Sequence, residues 1–88
     1  MGGTAVMEKK KIFSEIRNEI ESITNKSIDD PQLNLLGYKA GIEPYQLIYI
    51  LKNISLKYNL DFAQVFDPSW QKISIEILSE KIIYNCSI

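Results

Sequence analysis

Between residues 8 and 24 the apolar side chains return every three or four positions: Ile12, Phe13, Ile16, Ile20 and Ile23. At the helical angular step they fall within about a 100° arc, the stripe of an amphipathic helix facing one packing surface. Glu15, Asn18, Glu19 and Glu21 take the other face. The period then lapses. Residues 25–43, NKSIDDPQLNLLGYKAGIE, carry Asn25, Asp29-Asp30-Pro31, Gly37 and Gly41, which break a helix. Yet Ile28, Leu33, Leu35, Leu36 and Ile42 lie in the same stretch. A long connection with that many apolar residues is expected to lie across a core, and loops of this length inside small domains are usually functional.

Pro44 opens a second helix, because its missing N–H would be unpaired at N1 in any case. The pattern carries it to about Tyr58. Leu47, Ile50, Leu51, Ile54 and Tyr58 share one face, while Tyr45, Tyr49 and Leu56 lie nearly opposite with Lys52 among them. A helix apolar on two sides needs either two neighbours or a partner. The long loop or the last helix covers the second side in one reading; in the other it is an exposed docking patch.

Residues 59–72 allow one short helix, with Asp61 capping Phe62–Phe66 and Asp67-Pro68 turning the chain. Phe62, Val65, Phe66 and Trp70 read as core plugs. Ser74 is a candidate N-cap for a last helix over about 75–84, with Ile75, Leu78 and Ile82 as its inner stripe. Strand alternation and repeats are absent. The fold class is all-α: three main helices, one short helix and a long first loop, in one domain over 8–85. Residues 1–7 read as an N-terminal tail, with Met7 a candidate natural start and the preceding residues an expression remnant.

Composition narrows the function classes. The 88 residues have a net charge of −1, which favours neither nucleic acid nor a solvating acidic chain. The basic run Lys9-Lys10-Lys11 sits beside Glu8 and Glu15 and reads as a solvated helix end. No histidine is present and Cys86 is the single cysteine, so the usual general base, a thiolate metal site and an internal disulfide are all missing. Gly37 and Gly41 match no phosphate-loop spacing and read as turn glycines. Asp29, Asp30, Asp61 and Asp67 follow no calcium-loop spacing and read as caps and turns. Glu76 and Glu80 read as surface acids. The expectation is no enzyme, no metal and no cofactor. With no apolar run of spanning length and no signal-peptide order, a cytoplasmic protein is expected.

The segments LLGYKAGIEPYQLIYIL and KISIEILSEKI, in this order and spacing, resemble the acyl carrier protein family over roughly residues 8–84. That family is a four-helix bundle in which a Leu-Gly-x-Asp-Ser-Leu motif opens the second helix and its serine takes phosphopantetheine. Aligning Ile42 with the motif's last leucine puts Gly41 at the serine and Ala40 at the aspartate, with one extra residue after Gly37. Glycine offers no hydroxyl, so the thioester-carrying role is not implied. The family's acidic second helix is also missing: residues 44–58 contain no acid, while Lys52 and Lys57 lie among them. Length, layout and an Ile/Lys/Asn-rich composition are similar to acyl-carrier-related proteins encoded in peptide maturation systems of anaerobic bacteria. This resemblance implies an accessory role beside a modifying enzyme. The expectation is a non-enzymatic accessory or scaffold protein that binds that enzyme or its precursor peptide, and the second apolar side of the helix over 44–58 supplies the expected contact residues, Tyr45, Tyr49, Lys52 and Leu56. Two competing readings are a genuine carrier modified on an unorthodox serine (Ser69, Ser27 or Ser55) and a homodimer whose aromatic face pairs with itself.

Overall fold

The structure, a computed structural model, describes residues 2–86, with side chains from Lys9 onward. Four helices follow one another: α1 (Gly2–Thr24), α2 (Pro44–Lys57), α3 (Phe62–Val65) and α4 (Ile75–Cys86). No strand occurs among the described residues. Helix α1 packs on α2 and α4, and α3 closes the far side against the same two helices.

The expected stripes meet in one core. Ile16 and Ile20 of α1, Ile50, Leu51 and Ile54 of α2, Val65 of α3, and Ile75, Leu78 and Ile82 of α4 are all buried. Phe66 and Trp70 pack against this core as expected, ring edge to ring face at 6.3 Å. Phe62 departs from the expectation: at the first turn of a four-residue helix, it stays at the surface with its ring tilted against Phe66.

Helices α1 and α2 end for local reasons. Asn25 takes a left-handed backbone angle just after α1, a conformation asparagine tolerates better than most residues. At the end of α2, Asn59 does the same with φ 56°. Its N–H bonds the Leu56 carbonyl at 3.2 Å, and the Leu60 N–H reaches back to Ser55 O at 2.8 Å. These two bonds satisfy carbonyls that the helix end would otherwise leave open. Ser74 caps α4 by accepting the Ile77 N–H at 3.1 Å.

Helix α1 begins at Gly2, six residues before its expected start at residue 8, so the expected tail joins the helix. The lysine run is therefore in mid-helix. Lys9 reaches across to α4 and pairs with Glu76 at 3.0 Å. Glu76 also accepts from Gln32 Nε2 at 2.6 Å, so it ties α1, the long connection and α4 together.

The connection over 25–43 lies across the bundle. Ile28, Leu35 and Ala40 are buried, with Leu33 and Ile42 packed beside them, whereas Leu36 is exposed. Asn34 pins it. Its Oδ1 accepts from both the Leu36 and Ile73 N–H groups at 3.1 Å, and the Leu35 N–H donates to Ile73 O at 2.6 Å. A loop held by backbone bonds to the segment before α4 has a fixed path, and it delivers Gly41 to the start of α2.

Candidate functional site

The site consists of the turn that precedes α2 and the outer face of α2. Three consecutive turn bonds build the approach: Gly37 N–H to Asn34 O, Ala40 N–H to Gly37 O and Gly41 N–H to Tyr38 O, at 3.0–3.2 Å. Gly41 has φ +64°, the left-handed region, which L side chains rarely adopt. Lys26 arches over it and donates from Nζ to the Gly41 carbonyl at 2.7 Å. A Cβ at position 41 would overlap that ammonium. The backbone here thus takes a shape that suits glycine, and the space a side chain would use is occupied. Gly37 stays outside the left-handed region, so the expectation of special angles holds for Gly41 alone.

After Gly41 the chain enters α2 through Glu43, whose N–H bonds the Gln46 side-chain oxygen at 3.0 Å, and Pro44 at the first helical position. The inner face of α2 fills the core. The outer face is open: Tyr45 is 63% exposed, Tyr49 58% and Leu56 69%. Neither the long connection nor α4 covers them. Ile48, 47% exposed, joins the same stripe and was not singled out in the sequence. Its position, three after Tyr45 and four before Lys52, is the signal that would have found it. The exposed Lys52 lies among these side chains and has no ion-pair partner among the described residues, whereas Lys57 at the helix end lies 3.8 Å from Glu15. The arrangement is an apolar, aromatic surface with one cation in it, open to contact with another molecule.

None of the serines that are alternative attachment points lies on the open face of α2. Ser55 is buried and donates its hydroxyl to Lys52 O at 2.7 Å. Ser69 is exposed between α3 and α4, and both its N–H and its hydroxyl bond Asp67 Oδ1, at 2.9 and 2.8 Å. These bonds, the backbone one first, hold the Asp67 carboxyl below the usual carboxylate range. Ser27 is exposed in the long connection.

Away from the turn that precedes α2, helix α1, the end of α2 and α4 leave a cleft of about 310 Å³. Ile12, Ile82 and Ile83 form its apolar wall, and Lys11, Glu15, Tyr58 and Cys86 line the rest. Tyr58 Oη donates to Glu15 Oε2. Burial, and then the bond to Glu15 and its negative charge, push the Tyr58 phenol well above its ordinary value. Among the described residues, no group of three or more Cys, Asp or Glu side chains converges as a metal ion would require. No helix among them is long and apolar enough to cross a membrane.

Comparison with known proteins finds no match: no family model, no curated protein and no solved structure.

Proposed function

We propose that this chain is an acyl-carrier-like bundle that lacks the carrier's covalent chemistry and works by contact. In this reading it is a non-enzymatic accessory or scaffold protein. It presents the outer face of α2 to a modifying enzyme or to the precursor peptide in a bacterial peptide maturation system. The observation that carries the proposal is the pairing of two features in adjacent segments. Gly41 has no atom to which a prosthetic group can be attached, and it is held at φ +64° under Lys26. The helix it leads into keeps an open face of two tyrosines, Ile48 and Leu56.

Four exposed apolar side chains along one helix cost solubility, and a contiguous patch of this kind marks an interaction surface more often than chance. Tyrosine suits such a role because it buries a large area at low entropic cost and keeps a polar tip. The order of elements (a long loop, a Pro-started helix, a short helix and a serine-capped last helix) supports the carrier-like part of the reading.

The test is site-specific photocrosslinking in the source cells. A photoreactive residue at position 49 is expected to trap a discrete protein or peptide, and the same residue at position 80 on α4 is not. Equal trapping at both positions, or none at 49, rejects the docking surface.

A further inference from the structure

The shape and charge of the α2 face specify more than its use. Tyr45, Ile48, Tyr49, Lys52 and Leu56 fall within about a 100° arc at the helical step. From Tyr45 to Leu56 the stripe is about 17 Å long, roughly three turns. The exposed parts of its four apolar side chains sum to several hundred Å², on the order of the largest patch on an ordinary monomer. That falls short of the roughly 800 Å² per partner of a standard stable interface between folded proteins. The footprint is that of one short helix. Addition of an extended peptide to a sheet edge is not available here, since the described residues contain no strand.

Charge then selects among helices. Helix α2 contains no Asp or Glu, and the nearest acid in sequence, Glu43, is drawn into its N-terminal cap with Gln46. Lys52 stands near the middle of the apolar stripe with no ion-pair partner among the described residues. A second copy of this chain is a poor occupant. A two-fold pairing of this face would bring Lys52 toward its own copy, and like charges meeting across an interface are costly.

We propose that the occupant of this face is an acidic amphipathic helix of about three turns. Its apolar stripe packs on Tyr45, Ile48, Tyr49 and Leu56, and a carboxylate meets the Lys52 ammonium. This rests on the reading of α2 as a docking surface. Because the whole chain carries a net charge of −1, long-range attraction does not contribute and the preference is short-range.

The experiment uses two labelled three-turn peptides with the same leucines at helical spacing, one with glutamates and one with lysines at the flanking positions. Fluorescence anisotropy measures their binding to the wild type, Lys52→Glu and Tyr49→Ala proteins. The glutamate peptide is expected to bind the wild type about 2- to 5-fold more tightly than the lysine peptide, a ratio set by exposed ion pairs. Lys52→Glu is expected to reverse the order, and Tyr49→Ala to weaken both. Equal binding of the two peptides, unchanged by Lys52→Glu, overturns the acidic occupant. If Tyr49→Ala still weakens both in that case, the docking reading survives. Binding of neither peptide overturns the helical occupant, while the crosslinking at position 49, which uses no peptide, judges the docking reading separately. A concentration-dependent dimer in sedimentation that Tyr49→Ala abolishes overturns the proposal by naming the second copy as occupant.

Discussion

Restoring a serine at position 41 should weaken the fold. Gly41 sits at φ +64°, and for a residue with a Cβ the left-handed region costs about 1–2 kcal/mol. The new Cβ also displaces the Lys26 ammonium, which now donates to the Gly41 carbonyl at 2.7 Å. Both residues are exposed and the lysine side chain can swing away, so this bond contributes at the low end, about 0.5 kcal/mol. Against these costs, replacing glycine lowers the entropy of the unfolded chain, an offset of about 0.4–1 kcal/mol. The net destabilisation expected for Gly41→Ser is about 1 kcal/mol. For a domain of this size, that lowers the melting temperature by about 4–8 °C. Thermal unfolding followed by circular dichroism at several scan rates measures it. Gly41→Asn is the internal control. It displaces the same lysine but tolerates the left-handed region, so it should lose clearly less than the serine variant. A serine variant as stable as the wild type, or one matched by the asparagine variant, would refute the argument that backbone shape holds glycine at this position.

Ile16→Ala removes a fully buried side chain from the contact of α1 with the other helices and should cost about 2–5 kcal/mol in urea denaturation. Tyr49→Ala, at an exposed position, should change stability by no more than about 0.5 kcal/mol and leave the helical spectrum intact, while weakening binding of the glutamate peptide in anisotropy. The Tyr58 phenol has its folded-state value raised above the ordinary value near 10, so the folded state keeps a proton that the unfolded state releases. Its stabilising effect is therefore full below pH 10 and is lost as pH rises above it. Urea midpoints at pH 9 and pH 11 should show a smaller alkaline loss for Tyr58→Phe than for the wild type.

How much of this was legible in the sequence depends on whether a feature is local. The starts of α2, α3 and α4 were readable because Pro44, Asp61 and Ser74 act on the first turn that follows each of them. The inner stripes were readable because burial repeats with the helical period. The path of the long connection was not, since it depends on Asn34 bonding a segment about 40 residues away, at Ile73. Glu15 was assigned to the outer face of α1. It lies on the flank of the stripe, close enough for Lys57 and Tyr58 at the end of α2 to reach it. Leu36 and Phe62 were expected inside because they are apolar, yet the core was already filled by Leu35 and Val65 beside them. At the site, the two-sided apolar pattern of α2 was plain, but periodicity alone does not say whether a second face meets solvent or a neighbour. Position 41 was marked by its residue type, whereas Lys26 folding over it joins residues 15 apart in a loop and leaves no sequence signature.

The most direct measurement is the intact mass of the protein after incubation with a broad-range phosphopantetheinyl transferase and coenzyme A. A bundle that acts through its surface keeps the mass of the bare chain. A gain of one phosphopantetheinyl group, on any serine, would mean that the domain carries after all.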